Sequence, residues 1–402
     1  MSRLSLKEEL KKIGIVAYAN LVIKSRMHER KAQGGLRYYR AEAQRKGINC
    51  PKGEFLKQAL RQRLAKRRAS GVPKRKGELH IFLAYYITNW EAILPRTLEP
   101  FGKVTAFNWR EHGFDDRAPD WLEYRDRMNT VMLEKFHAAN RSEPVDVVVG
   151  YLSGNNTSPE TLKEMACSGA TIFNFCWDDK LNFPGKKKGG RYTSTAAIAS
   201  VVDLNLTNVP DSIIKYAVHG GLAIFWPEAA HPDVHKPYDV PFEFDVSFVG
   251  QCYGWRPRFI RQLGKLGVKV ECFGYGWPNG PLPDEEVVKL YSRSRINLGF
   301  GGVGYSRKLM CIKGRDFEVP MSGGLYLTTN NPELSLVYDI GKEIVIYRDE
   351  EDCAHIIREL LADPELAQKI RWAGRERCLR DHIYEARWSK VFSLVGLLQG
   401  KP

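Results

Sequence analysis

With 402 residues, 43% of them hydrophobic and 27% charged, the chain has the balance of a soluble globular protein and the length for two cores plus an extension. That balance excludes a disordered or fibrous protein. The formal net charge of +14 is concentrated at one end: residues 1–77 hold 22 Lys and Arg against 5 Asp and Glu, whereas the rest hold 39 against 42.

The start, Met1 to Glu9, is charged and lacks the apolar stretch and small-residue cleavage site of a secretory signal. The most apolar early run, Ile13 to Ile23, has 11 residues, short of the roughly 20 that cross a bilayer. No transmembrane segment is expected. The eight cysteines form no CxxC pair and no zinc-spaced cluster with histidine. Reduced thiols, no bound metal and a cytoplasmic location, at most peripheral at the inner membrane surface, are therefore expected.

Taken in chain order, residues 1–77 predict a basic helical extension. One helix is expected over Leu6 to Ile23, and Gly34-Gly35 and Asn49-Cys50-Pro51 punctuate the stretch after it. A second helix is marked by Phe55, Leu56, Ala59, Leu60 and Leu64 at helical spacing among Lys57, Arg61, Arg63, Lys66, Arg67 and Arg68. Such a cationic face is the footprint of a polyanion partner. An anionic membrane surface and a nucleic acid fit it equally, and a solvated cap that binds nothing is the plain alternative. Gly71 to Gly77 reads as a linker.

Residues 78–226 alternate short apolar strands with helices. Strands are expected at His80–Tyr85, Val104–Phe107, Val145–Val149, Thr171–Phe175 and Leu204–Thr207. Helices are expected at Asn89–Leu98, Trp121–Ala139, Ser158–Cys167 and Asp211–Val218. That alternation implies a parallel sheet covered on both faces. Residues 227–245, rich in proline and histidine, form the expected linker. A second series over 246–402 places strands at Val246–Val249, Val268–Phe273, Ile296–Phe300, Leu325–Thr328 and Ile344–Tyr347, and ends in helices over Glu365–Leu398. The expected fold class is α/β, with two Rossmann-like domains facing a cleft at strand C-terminal ends.

Three stretches have the composition of a site. Gly250-Gln251-Cys252-Tyr253-Gly254 leads into a helix near Arg256-Pro257-Arg258. A glycine turn at a helix N-terminus offers backbone N–H groups, and two arginines add bidentate donors, which makes a diphosphate cradle; an ordinary strand-to-helix turn with surface arginines is the plain reading. Gly299 to Gly304 matches GxGxxG, the dinucleotide fingerprint of an oxidoreductase, but about two turns too late in its domain. Gly301 and Gly302 fit better as a loop lining the cleft. In the first domain, Cys176-Trp177-Asp178-Asp179 follows a strand near the loop Tyr151–Asn155. Either aspartate is a candidate general base on an acceptor hydroxyl, and either is a candidate helix cap.

The most specific stretch is Lys313-Gly314-Arg315-Asp316-Phe317-Glu318, followed by Ser322-Gly323-Gly324 and a strand. It resembles the signature of the spore-maturation-type (CgeB-like) branch of glycosyl transferase group 1. Phe248-Val249-Gly250, Phe273-Gly274-Tyr275-Gly276-Trp277 and Ile296-Asn297-Leu298 occupy that family's expected places. So do Trp226-Pro227-Glu228, Pro332-Glu333-Leu334, Ala373-Gly374-Arg375 and His382-Ile383-Tyr384. The resemblance implies a GT-B fold and transfer of a sugar from a nucleotide-sugar donor, bound by the second domain, to an acceptor hydroxyl. It also implies that Glu318 accepts the donor ribose hydroxyls and that Lys313 and Arg315 neutralise the leaving diphosphate without a metal or other cofactor. Ser322, Gly323 and Gly324 would let a helix N-terminus approach the phosphates, beside Gly274 and Tyr275. Related retaining enzymes often place a second glutamate eight residues before Glu318, where this chain has Met310, so the stereochemical outcome stays open. The resemblance leaves residues 1–77 uncovered. They are expected to be dispensable for donor binding, and a non-catalytic nucleic-acid-binding protein is the rival reading they support.

Overall fold

The computed structural model describes residues 14–66, 73–87, 92–116, 118 and 121–399. The chain falls into two units. One comprises residues 36–227 and 384–402, the other residues 1–35 and 228–383.

The first unit holds the strands β1 (Leu79–Tyr85), β2 (Gly102–Asn108), β3 (Val147–Gly150), β4 (Thr171–Cys176), β5 (Lys187–Lys188), β6 (Arg191–Tyr192), β7 (Leu204–Thr207) and β8 (Ala223–Phe225). Six of them form a parallel sheet in the order β2-β1-β3-β4-β7-β8, and β5 pairs with β6 in a short antiparallel hairpin. Strands β1, β3, β4 and β7 are buried along their whole length, as expected where helices cover both faces. Phe82, Phe107 and Val148 pack with Met128, Met132 and Phe136 of the helix Trp121–Ser142 in one core.

The second unit holds β9 (Phe244–Val249), β10 (Glu271–Phe273), β11 (Ser294–Leu298), β12 (Tyr326–Thr329) and β13 (Val345–Tyr347). They form a parallel five-stranded sheet in the order β10-β9-β11-β12-β13. Val246, Phe248, Ile296, Leu298 and Leu327 form its core with Phe259 and Leu263 of the helix Arg256–Lys265 and Ile357 of the helix Glu350–Ala362. In each sheet the strand order reverses beside the first strand, between β1 and β3 and between β9 and β11. Such reversals open crevices at strand C-terminal ends.

The structure corrects three expectations. Gly34-Gly35 does not interrupt the first helix, which runs unbroken from Gly14 to Arg45. A glycine costs a helix only about 1 kcal/mol relative to alanine, which packed neighbours on either side outweigh. The last helix, Tyr384–Leu394, belongs to the first sheet's unit instead of the second. Its Trp388 and Phe392 are fully buried, with Phe392 against Phe101 and Phe173 and Trp388 against Trp226, and the Trp388 indole donates to Thr97 Oγ1 at 3.0 Å. The basic residues 36–66 are likewise packed onto a core. Tyr39 lies edge-on to Phe183, and Leu56, Leu60 and Leu64 of the helix Gly53–Ala65 are buried. Among the described residues no helix is long and apolar enough to cross a membrane.

Candidate functional site

The helix Arg315–Met321 is fixed from its buried side. Asp316 accepts the Lys313 backbone N–H at 2.8 Å and the Tyr326 hydroxyl at 2.8 Å, and Phe317 is fully buried. Burial pushes the Asp316 carboxyl up to about 6. With residues 316 and 317 turned inward, Arg315 and Glu318, one turn apart, share the other face.

Arg315 reaches the turn after β9, where its Nη1 lies 3.4 Å from the place a Cβ on Gly250 would occupy. Gly250 has φ of +151°, and Gly274 (φ +122°) packs so closely that a Cβ there would sit 2.4 Å from the Gly250 carbonyl oxygen. Both positions require glycine for backbone reasons. Arg256 is buried against the rings of Tyr253, Phe248 and Phe300, and one guanidinium N–H donates to the Gln251 carbonyl at 2.9 Å. Burial, and then the charge of Arg315, lower its pKa to about 10. Among the described residues neither arginine has a carboxylate within ion-pairing distance, and the nearest negative charges, Glu318 and Asp316, act on Arg315 from further away. Glu318 is half-buried, and its carboxylate accepts no hydrogen bond from any described residue. Burial pushes it up to about 7, with Asp316 and Asp284 adding to the effect and Arg315 opposing it.

Arg256 also lines an open pocket of about 540 Å³ at the C-terminal edge of the sheet, with Tyr253, Trp255, Phe300, Arg307 and Tyr347. Gly302 and Gly304 line its wall too, so the GxGxxG stretch forms a pocket loop. Gly301 sits in that loop with its Cα side toward Met310. Arg315 and Glu318 are not part of this lining, and Arg256 links them to it.

A part of the site that sequence reasoning missed comes from the basic extension. The hydroxyl of Ser306, a pocket residue, receives the Lys308 and Leu309 backbone N–H groups at 3.0 Å and donates to Glu29 at 2.8 Å. Ser25 donates to the same Glu29 oxygen at 3.0 Å, and His28 Nδ1 accepts the Tyr305 backbone N–H at 3.2 Å. Residues 25–29 thus hold the 302–309 loop, so the extension touches a wall of the pocket. Tyr18 packs edge-on to Trp255 and under Arg258, with the Arg258 guanidinium 4.5 Å from the ring.

Several further site assignments are revised. Arg258 stacks on Tyr18 and does not line the pocket. Ser322, Gly323 and Gly324 end the helix instead of opening one: the Ser322 hydroxyl donates to the Glu318 carbonyl at 2.7 Å, Gly323 has φ of +72°, and Gly324 N–H bonds Val319 O. Tyr275 is 71% exposed and its carbonyl bonds Cys252 N–H. Lys313 is half-buried beside the helix start. In the first unit, Asp178 is exposed and accepts from the Tyr151 hydroxyl at 3.1 Å, whereas Asp179 is 0% exposed and accepts from the Tyr216 hydroxyl at 2.8 Å. Burial raises the Asp179 pKa. Asp179 is a core residue and cannot reach a substrate. Of the polyanion-binding candidates, Arg63 is spent on the carbonyls of Val202 and Gly220 at 2.8 and 2.7 Å. Arg61 and Lys66 are exposed, and Arg67 and Arg68 lie outside the described residues.

Comparison with known proteins bears on the fold. Residues 256–393 match the glycosyl transferase-like family. No curated protein sequence matches the chain. Among solved structures, sucrose-phosphate synthase from Thermosynechococcus elongatus aligns with a TM-score of 0.55 at 12% identity, covering 79% of this chain and 98% of that one. Anabaena HepE, solved in complex with UDP and glucose, aligns at 0.53 and 10% identity over 79% and 100%. A glycosyltransferase from Rickettsia africae aligns at 0.51 and 12% over 80% and 99%. The fold is that of the GT-B class.

Proposed function

We propose that the protein is a glycosyltransferase that moves a sugar from a uridine-diphosphate donor to an acceptor hydroxyl, in the manner of the CgeB-like branch it resembles. The observation that carries this reading is the pair Arg256 and Arg315, two guanidinia at the end of β9 with no carboxylate partner among the described residues, beside the unpaired carboxylate of Glu318. Adjacent cations held in no salt bridge are stabilised when an anion joins them, and a diphosphate matches their forked donors. Glu318 is the acceptor for ribose hydroxyls. The match over residues 256–393 and the likeness to a structure that holds UDP support it.

As the donor bond breaks, negative charge builds on the diphosphate, and Arg256 and Arg315 hold it in place of a metal ion. Asp178 is the acceptor-side carboxylate. The exposed cations Arg61 and Lys66 carry the contact with an anionic surface, from a cytoplasmic position. Calorimetry with UDP tests the donor reading: binding that persists in a chelator is expected, and absence of UDP binding refutes it.

A further inference from the structure

A second pocket opens at the C-terminal edge of the first sheet, beside the order reversal between β1 and β3. Its lining includes Tyr86, Trp109, Asp116, Tyr151, Asn156 and Asp178. Two features define what it can hold.

The first is charge. The lining contains two carboxylates and, among the described residues, no Lys, Arg or His. Arg110, outside the lining, lies 3.6 Å from Asp116, while stacking on Tyr86 and pairing with Asp115 at 2.7 Å. Asp178 is exposed and meets the Tyr151 hydroxyl. An anionic ligand placed here would face carboxylates with no described cation in the lining to offset the repulsion.

The second is an orphaned donor. Trp109 is 1% exposed, and its Nε1–H has no hydrogen-bond partner among the described residues although it belongs to the pocket lining. Buried indole N–H groups find acceptors in nearly all proteins, so an unmet one in a pocket wall marks a place for a ligand oxygen. Tyr86 and Tyr151, both half-buried, supply ring faces beside it.

We infer that this pocket binds an uncharged sugar. Hydroxyls donate to Asp178 and Asp116, one ring or hydroxyl oxygen accepts from Trp109 Nε1, and the C–H face of the sugar lies on a tyrosine ring. A carboxylate that accepts from a neutral hydroxyl gains a charge-assisted bond without needing a counter-ion. With no cation among the described lining residues, the sugar residue presented to this pocket is neutral. That the bound sugar is the acceptor rests on the proposed transfer activity; the binding itself does not.

The test uses the full-length ¹⁵N-labelled protein and its indole N–H resonances, with Trp109 assigned through Trp109→Phe. Glucose, galactose, N-acetylglucosamine and glucose 6-phosphate are each added to about 100 mM, which fills even a site with a Kd of ~10 mM. At least one of the three neutral sugars is expected to move the Trp109 resonance while glucose 6-phosphate leaves it in place, and Asp178→Asn is expected to weaken that response by about 10-fold. The inference is overturned if glucose 6-phosphate moves the resonance as far as the neutral sugars, or if none of the three moves it. UDP is titrated into the same sample with Trp255 as reporter, since its indole donates to Tyr305 O at 2.8 Å within the other pocket. A Trp255 response with Trp109 silent to every sugar sinks this inference alone, and a Trp255 silent to UDP sinks the donor reading alone.

Discussion

The pockets of the two sheets occupy equivalent places and have opposite chemistry. Each sits at the C-terminal edge of a parallel sheet, at the point where strand order reverses, so the location follows from topology. The content follows from the loops. The loops of the second sheet bring Arg256 and Arg307 into a lining without a described carboxylate, whereas the loops after β2, β3 and β4 bring Asp116, Tyr151 and Asp178 together without a described cation in the lining. A scaffold repeated twice thus offers one site suited to a diphosphate and one suited to hydroxyls, and that difference in charge is the division of labour the proposed transfer requires.

The sharpest way to break this comparison is to remove the carboxylate that distinguishes the hydroxyl pocket. Asp178→Asn is expected to lower kcat by about 100-fold or more, the range of a lost general base, with unchanged urea unfolding because the side chain is exposed. Its neighbour serves as the control. Asp179→Ala strips the Tyr216 hydroxyl of its acceptor in the core and is expected to cost about 1–3 kcal/mol of stability. An Asp178→Asn enzyme with full kcat would remove the catalytic role from that pocket.

The guanidinium pair beside the cationic pocket is tested next. Arg315→Gln is expected to weaken UDP binding by about 10- to 100-fold, the worth of one or two charge-assisted hydrogen bonds, with little effect on uridine, which has no phosphate. Equal losses for UDP and uridine would mean that Arg315 shapes the pocket instead of meeting the diphosphate.

A smaller effect is expected from the extension. Glu29→Ala removes the acceptor for Ser306 and frees the 302–309 loop, which should weaken UDP binding by about 5-fold, roughly the value of one hydrogen bond. Glu29→Gln keeps a carbonyl acceptor and should bind as the wild type does. If both substitutions leave the UDP affinity unchanged, the loop holds its shape without the helix.

How much of the fold and of the site was legible in the sequence depended on distance along the chain. The strands showed themselves as short apolar runs, although the three-residue β8 was missed and Val268–Phe273 shrank to Glu271–Phe273, because brief strands carry too few residues to show a period. Arg315 and Glu318 were visible as a signature because they lie one helical turn apart. The contact of Glu29 with Ser306 spans 277 residues, and nothing local at either position announces it. Asp178 and Asp179 looked interchangeable as adjacent acids. A four-residue helix beginning at Asp179 turns one into the core and leaves the other in solvent, and a choice that fine is made by packing. The Ser322-Gly323-Gly324 turn shows the same limit: glycines mark the end of a helix and the start of a phosphate loop equally well, and the residues packed around them decide which.

The smallest expected effect concerns the titration of Glu318. Its pKa in the folded protein is about 7, raised from an ordinary value near 4.5 chiefly by burial. Between those two values the folded protein retains a proton that the unfolded chain has released, so the contribution of Glu318 to stability falls as pH rises through this window and is lowest above 7. Ligand binding runs the other way. Ribose hydroxyls donate more strongly to the ionised carboxylate than to the neutral acid, so uridine affinity should increase between pH 6 and pH 8. The gain is modest, roughly threefold, since the neutral carboxyl still accepts a weaker bond. Uridine is the right probe because its own groups do not ionise in this range, whereas the phosphates of UDP do. Glu318→Gln cannot ionise, and it should show both a flat uridine affinity and the loss of the stability decline between pH 4.5 and 7. A wild-type affinity for uridine that stays constant from pH 6 to pH 8 would place the ribose away from Glu318 and leave the two guanidinia as the whole of the donor site's charge recognition.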